Sequence, residues 1–233
     1  MKRPLHNSKG TTLVELIVSI LLLMIFTLAA VTLIRPCAEA FMLVQKQTRA
    51  QNLADALVEN LRLELQNAGG TLRFAEAGST ETDKGKVFAS LATEENPRPA
   101  QGSALEFERD GYVEIVDAGY APPLQKAGTT VFDGTPGYLH MRYWSQSGGN
   151  PQSNTPYDCT DAYAKGAYMG MQISTLQFSA RGWQYDANGS PKLTSLTVLL
   201  AISDSDGTVL CTQKAILPLP GQPVYTSTPL VTN

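Results

Sequence analysis

A run of apolar residues near the N-terminus constrains this chain more than any other feature. It extends from Leu13 to Ile34, 22 residues that contain a single charged side chain, Glu15. As an α-helix with a rise of about 1.5 Å per residue, the run measures roughly 33 Å, which matches the bilayer hydrocarbon core of about 30 Å. We therefore predict that this segment spans a membrane.

Basic residues before the run predict its orientation. They are Lys2, Arg3, His6 and Lys9. Because positive charge is retained on the cytoplasmic side, the N-terminus is expected in the cytoplasm and everything after Arg35 outside it. The sequence thus predicts a single-pass membrane protein with an extracytoplasmic head.

Ordinary targeting signals fit this segment poorly. A secretory signal has an apolar region of about 7 to 15 residues and a small-x-small cleavage site, whereas this run is longer and offers only weak sites such as residues 27–29. A lipoprotein signal needs small residues before Cys37, where Arg35 and Pro36 stand. A plain signal anchor explains the length but not Glu15, since an acid deep in hydrocarbon costs about 2.5 to 3.5 kcal/mol.

The stretch KGTTLVELIVSILLL, Lys9 to Leu23, resembles the class III signal of type IV pilins and pseudopilins. In that family a short basic leader ends in Gly, a dedicated prepilin peptidase cuts before the apolar run, and the fifth mature residue is Glu. The resemblance implies cleavage between Gly10 and Thr11, which makes Glu15 the fifth mature residue. It also makes Thr11 the candidate for N-methylation, at a position where the family usually has Phe.

Removal of such a leader would create a partner for Glu15. The new ammonium of Thr11 lies one helical turn away, so the two charges can pair within one chain or between neighbouring chains. The resemblance favours a neighbouring subunit. It also implies four partners: the prepilin peptidase, other pilin or pseudopilin subunits, a membrane platform protein of the assembly machinery, and membrane lipid before assembly. The simpler alternative is that Glu15 reaches back to the cytoplasmic headgroups.

A second helical pattern follows Pro36, which is expected to bend or break the helix near residues 32–35. Apolar residues recur at spacings of three and four, and Gly69-Gly70 is expected to end the helix. The stripe consists of Ala50, Leu53, Ala54, Leu57, Val58, Leu61, Leu65 and Ala68. We interpret it as the face that packs on a folded head.

The rest of the chain favours an antiparallel sheet. Two hairpins are predicted, at 104–117 around Asp110-Gly111 and at 193–217 around 204–207, with further strands at 138–144 and 173–183. Surface loops are predicted at 77–86, 95–102 and 145–161, because these stretches are rich in residues that break regular structure. A long helix followed by hairpins indicates the α+β class, which is also the pilin plan.

The chain is accordingly divided into five segments. They are a leader at 1–10, a transmembrane and assembly helix at 11–35, an amphipathic half-helix at 36–68, a globular antiparallel head at 69–217 and a Pro-rich tail at 218–233. The tail is expected to be extended or disordered.

Few residues suggest chemistry. His140, the one histidine outside the leader, is interpreted as an exposed structural residue of a strand, and no catalytic residue, metal site or cofactor is predicted. Residues 186–190 and the pair Asp204 and Asp206 are interpreted as turns, with a weak calcium site as the alternative.

The cysteines leave one pairing open. Cys159 and Cys211 can form a disulfide outside the cytoplasm if their Cα atoms lie within about 7 Å of each other. The alternative is two reduced thiols. Cys37 is interpreted as a small apolar residue of the helix.

The expected function is structural. The resemblance implies a minor pilin or pseudopilin of a type IV pilus, a type II secretion-like system or a competence filament, with no enzymatic activity. One alternative is a DNA-capturing or adhesive module; nucleic acid is a partner only in that case, because the net charge of -3 provides no long-range attraction for it. The other alternative is an extracytoplasmic enzyme that is anchored by a single membrane pass. The candidate DNA-binding side chains are Arg142, Tyr143, Trp144, Arg181 and Trp183.

Overall fold

The structure, a computed structural model, describes residues 12–89, 100–121, 124–126, 129–132, 134–145 and 158–230. The chain divides into two compact units, Met1–Lys46 and Gln47–Asn233. One long N-terminal helix is followed by strands, and the later part of that helix packs on a mixed, mostly antiparallel sheet. This architecture confirms the predicted α+β class.

Helix α1 comprises Leu13–Gln66. Thr12 precedes it, and its Oγ1 accepts a hydrogen bond from the Glu15 N–H at 3.4 Å, as in the Thr-x-x-Glu capping box of a helix N-terminus. Pro36 does not break the helix, because α1 continues through it; a bend near residues 32–35, the other expected outcome, stays a prediction. Proline removes only one backbone donor, and the hydrogen bonds of the turns on either side maintain the helix.

The predicted apolar stripe of α1 is confirmed. All eight of its side chains, from Ala50 to Ala68, are buried, and they share one core with Leu72, Phe74 and Phe107 of the sheet. Burying one Leu contributes about 1.5 to 3 kcal/mol, so this stripe is a principal source of stability for the second unit. Residues 36–49 of the predicted amphipathic half remain exposed.

The structure contains thirteen strands within the residues it describes. They are β1 Gly69–Ala77, β2 Val87–Ala89, β3 Gln101–Gly102, β4 Ala104–Arg109, β5 Tyr112–Asp117, β6 Leu124–Lys126, β7 Thr129–Phe132, β8 His140–Ser145, β9 Asp158–Asp161, β10 Gln172–Tyr185, β11 Pro191–Ser203, β12 Val209–Pro218 and β13 Val224–Tyr225. Short 3-10 helices occupy Glu81–Asp83 and Lys165–Tyr168.

Eleven of these described strands form one sheet. Its main path is β3-β10-β11-β13-β1-β4-β5-β8-β9, with β12 paired to β11 and β2 paired to β1, while β6 and β7 form a separate ribbon. The pairing of β1 with β13 is parallel and the others are antiparallel.

The predicted hairpins are confirmed. Strands β4 and β5 are joined by Asp110 and Gly111, whose φ angles of 48° and 81° are the positive values that a type I′ turn requires. The second predicted hairpin corresponds to β11 and β12, and β10 turns into β11 at residues 186–190.

The structure differs from the sequence-based expectation at two loops. The region 145–161, predicted as a loop, contains β9 at Asp158–Asp161, which pairs with β8; residues 146–157 lie outside the described part. In the predicted loop 95–102, Gln101 and Gly102 form β3 beside β10, and 95–99 lie outside the described residues. These two short strands lie in predicted loops because neither has a long alternating pattern.

The Pro-rich tail is ordered over the residues described, 218–230. Strand β13 pairs with β1 and β11, and Leu219 and Tyr225 are buried. The expectation that the tail is disordered is therefore wrong for residues 218–230. Two large apolar side chains anchor the tail, although prolines separate them from any regular pattern.

The sheet face opposite α1 contains buried charges. Leu72 and Phe74 share a core with α1, so the alternation of side chains along β1 places Arg73 on the opposite face. Arg73 forms an ion pair with Glu106, and Arg142 forms one with Asp117; all four side chains are 0 to 1 % exposed. These pairs lie within the second unit, where an unpaired charge would be costly.

Candidate functional site

The first unit is an apolar helix with its side chains exposed. By length and composition, α1 is long and apolar enough to cross a membrane, and none of its most apolar window is buried within the chain. The large apolar side chains exposed between Leu13 and Val44 are 46 to 74 % accessible. Such a surface requires lipid or other protein as its surroundings.

Most polar groups of this segment are satisfied within the helix. The hydroxyls of Ser19 and Thr27 donate to carbonyls four residues earlier, both at 2.7 Å, and the Thr32 hydroxyl donates to the Ala29 carbonyl at 2.8 Å. These bonds remove the cost of placing a hydroxyl in hydrocarbon.

Glu15 is different. Its backbone N–H bonds Thr12, but within residues 12–46 its carboxylate has no hydrogen bond or ion pair. Arg35 does not neutralise the Glu15 carboxylate, because the Arg35 guanidinium pairs with Glu39 at 2.8 Å. The predicted cleavage residues Gly10 and Thr11 lie outside the described residues, so the proposed amine of Thr11 stays a prediction.

The two cysteines considered for a disulfide are free thiols in separate places. Cys159 is on β9 and Cys211 on β12, and the strand path between them is β9-β8-β5-β4-β1-β13-β11-β12. Each step is about 4.8 Å along the sheet, whereas a bridge requires Cα atoms within about 7 Å. Burial raises the pKa of Cys159 to about 12, and burial also raises that of Cys211, so both remain protonated thiols.

His140 is buried, and its prediction as an exposed residue is wrong. Its Nδ1 lies 2.6 Å from Asp161 Oδ1, and its Nε2 donates to the Thr135 carbonyl at 2.7 Å. The ring also packs edge-on against Phe132, with centroids 5.2 Å apart. The residue thus ties β8 to β9 and to the preceding loop, and its interpretation as structural is retained.

In the turns at residues 186–190 and 204–207, Asp side chains accept hydrogen bonds from backbone N–H groups of the same turn or the residue after it. Asp186 Oδ1 accepts from the N–H groups of Asn188 and Ser190, and Asp206 Oδ1 accepts from that of Thr208, all at 2.8 to 2.9 Å. No group of three or more His, Cys, Asp or Glu in the described ranges is arranged to hold a metal ion.

The side chains considered for DNA binding do not form a surface strip. Arg142 and Trp144 are 1 % and 4 % exposed, and Arg142 is held by Asp117. Arg181 and Trp183 lie on β10, near the other end of the sheet path. Arg-Tyr-Trp is continuous in sequence, but Arg142 and Trp144 lie on the covered face of β8.

A pocket in the second unit was not predicted from the sequence. It measures about 380 Å³ and lies where the end of α1 meets β4, β5, β8 and β9. Its lining side chains are Glu64, Arg109, Asp110, Tyr112, Glu114, Tyr143 and Asp158. Glu114 stands between the apolar residues Val113 and Ile115 of β5, and its side chain is fully buried.

Comparison of the chain with protein-family models, with curated proteins and with solved structures finds no match.

Proposed function

We propose that this chain is a minor pilin or pseudopilin, a structural subunit of a type IV pilus, type II secretion-like or competence filament. The observation that supports it most is Glu15: a carboxylate without a side-chain partner in the described first unit, five residues after Gly10, on a helix whose apolar side chains are exposed. A helix of this kind suits transfer from lipid into a bundle of identical helices.

The mechanism is mechanical. The chain inserts with its N-terminus in the cytoplasm and its head outside, a prepilin peptidase removes residues 1–10, and the Thr11 ammonium pairs with Glu15 of an adjacent subunit. Two unit charges 4 Å apart attract with about 4 kcal/mol at an effective dielectric constant of 20, enough to offset the cost of the acid, which is about 2.5 to 3.5 kcal/mol deep in hydrocarbon and less near an interface. A separate motor and a membrane platform protein then draw the subunit into the filament.

The head fits a minor subunit. Residues 69–230 provide most of the second unit and an extended sheet, and large heads resemble those of tip or priming subunits. The DNA-binding alternative lacks comparable support, since the Arg142 and Trp144 side chains required for a DNA-binding strip are buried.

Fractionation of the native host tests the proposal. Filaments sheared from wild-type cells should contain the chain, whereas cells without the prepilin peptidase or the assembly ATPase should retain it in the membrane fraction. The major subunit detected in the same sheared sample is the control for filament recovery. Recovery of the major subunit without any of this chain would contradict the proposal.

A further inference from the structure

The pocket at the end of α1 contains a carboxylate that its surroundings leave unsatisfied. Glu114 is 0 % exposed, and both of its oxygens lack a hydrogen bond from the residues that the structure describes. The nearest cation is Arg109, whose Nη1 lies 3.5 Å from Glu114 Oε2 without forming a hydrogen bond to it. A buried acceptor with no donor carries an uncompensated desolvation penalty, so a donor supplied from outside would be bound favourably.

Arg109 does not supply that donor because it is shared. Its Nη1 donates to Glu64 of α1, and its Nε lies 3.6 Å from Asp110 Oδ2. One guanidinium therefore faces three carboxylates. The pocket has an excess of negative charge.

Sheet register explains how these groups come together. Phe107, Glu114, Tyr143 and Asp158 are successive partners across β4, β5, β8 and β9, so they form one row on the face that packs on α1. Phe107 belongs to the core, and Glu114 is therefore held against apolar packing while Asp158 lies at the outer end. The row therefore places the charged pocket next to the apolar core.

We propose that this pocket binds an alkylammonium or guanidinium cation, supplied by a Lys or Arg side chain of a partner protein or by a free amine. Such a group provides the N–H donors and the positive charge that Glu114 lacks. The rings of Tyr112 and Tyr143 offer faces for cation–π contact, and about 380 Å³ accommodates a side chain of this size.

Two observations favour an organic cation from another molecule over a metal ion or a side chain of the segment that joins β8 to β9. The described residues contain no group of three ligands arranged for a metal ion. The sequence that joins β8 to β9, residues 146–157, contains no Lys, Arg or His, so it does not supply a cation to Glu114.

The pKa of Glu114 supports this site and gives it a pH dependence. Burial raises that pKa to about 7, and the nearby Arg109 opposes the rise. The other groups facing the site are Glu64 on α1, Asp110 and Tyr112 at the β4–β5 turn, Tyr143 on β8 and Asp158 on β9. Burial, followed by the charge of Glu114, raises the pKa of Tyr143 to about 12, so this phenol keeps its proton.

Binding of a cation to Glu114 should become tighter as the pH rises. Because a cation binds the ionised carboxylate, it must displace the proton at low pH. With a pKa of about 7, the ionised fraction of Glu114 rises about tenfold between pH 6 and pH 8. Affinity for a cation should therefore be about tenfold higher at pH 8.

Calorimetric titration of the full chain in nonionic detergent tests the proposal. The probes are Nα-acetyl-lysine amide, cadaverine, Nα-acetyl-norleucine amide as the uncharged control, and calcium chloride. The lysine derivative should bind at pH 8 about tenfold more tightly than at pH 6, and the norleucine derivative should not bind. Equal binding of cadaverine would identify a free amine as the source, whereas binding of the lysine derivative alone would identify a protein side chain.

Variants locate the site. Glu114→Gln should lose at least tenfold in affinity and the pH dependence, whereas Glu81→Gln, which changes an exposed acid paired with Lys84, should alter neither. Glu114→Gln should fold, because a neutral amide avoids burying a charge; if it does not, the pH series on the unchanged chain decides. Binding of calcium without either amine, no binding at all, or binding that is equal at pH 6 and pH 8 would overturn the proposal.

Discussion

Replacing Glu15 with alanine is expected to leave the chain in the membrane and reduce its content in sheared filaments at least tenfold. Removing the acid abolishes the cost of inserting it, about 2.5 to 3.5 kcal/mol at most, so membrane insertion should be retained or improved. The same change removes the charge that the Thr11 ammonium of a neighbour is proposed to bind. Quantitative immunoblots of membrane and filament fractions measure both effects.

A second substitution separates charge pairing from helix capping. Thr12 and Glu15 stand at the spacing of a capping box, in which Gln serves as well as Glu. Because the Thr12 hydroxyl bonds the backbone N–H of residue 15, Glu15→Gln keeps this cap and a side chain of similar size but loses the charge, and it should fail in assembly as Glu15→Ala does. Glu59→Gln, at an exposed position paired with Arg62, is the matched control and should assemble normally. Assembly of Glu15→Gln at the wild-type level would show that charge pairing is not required.

Replacing Arg142 with methionine should destabilise the head by about 3 to 5 kcal/mol, because it leaves Asp117 buried without its cation. Arg142 also donates to the Gly85 carbonyl at 3.0 Å and lies 5.8 Å from the centre of the Trp144 ring. Urea unfolding of the full chain in detergent, followed by tryptophan fluorescence, measures the change in the free energy of unfolding.

Two further variants test why Arg142→Met is expected to lose stability. Adding Asp117→Asn to Arg142→Met removes the stranded charge and keeps an acceptor for the Gly119 N–H, which Asp117 Oδ1 now binds at 2.9 Å. The double variant should therefore be more stable than Arg142→Met alone. Arg181→Met, at an exposed position of β10, should change stability by less than about 0.5 kcal/mol. A loss below about 1 kcal/mol for Arg142→Met would contradict the assignment of a buried ion pair.

The elements with long patterns were predictable from sequence. The stripe from Ala50 to Ala68 repeats over several turns, and all of it is buried. The hairpins at Asp110-Gly111 and at 204–207 combine alternating strands with turn residues, so their register follows from local chemistry. Pro36 does not break the helix, because the effect of a proline depends on the helix around it as well as on the residue itself.

The buried charges were not predictable in this way. Alternation shows that Glu106 and Glu114 share strands with apolar residues, but it does not show that both faces of the sheet are covered. Burial of Glu106 depends on Arg73, which is distant in sequence, and burial of Glu114 depends on the end of α1. The separation of Cys159 from Cys211 likewise follows from strand order, which local sequence does not specify.

The mass of the N-terminal peptide from the native host tests the claim that cleavage after Gly10 liberates an amine for Glu15. After extraction from membranes and proteolysis, we expect a peptide that begins at Thr11, with or without an added methyl group, and its loss in cells that lack the prepilin peptidase. A chain that still begins at Met1 in the wild-type host would contradict the claim, because Glu15 would then have no liberated amine to bind.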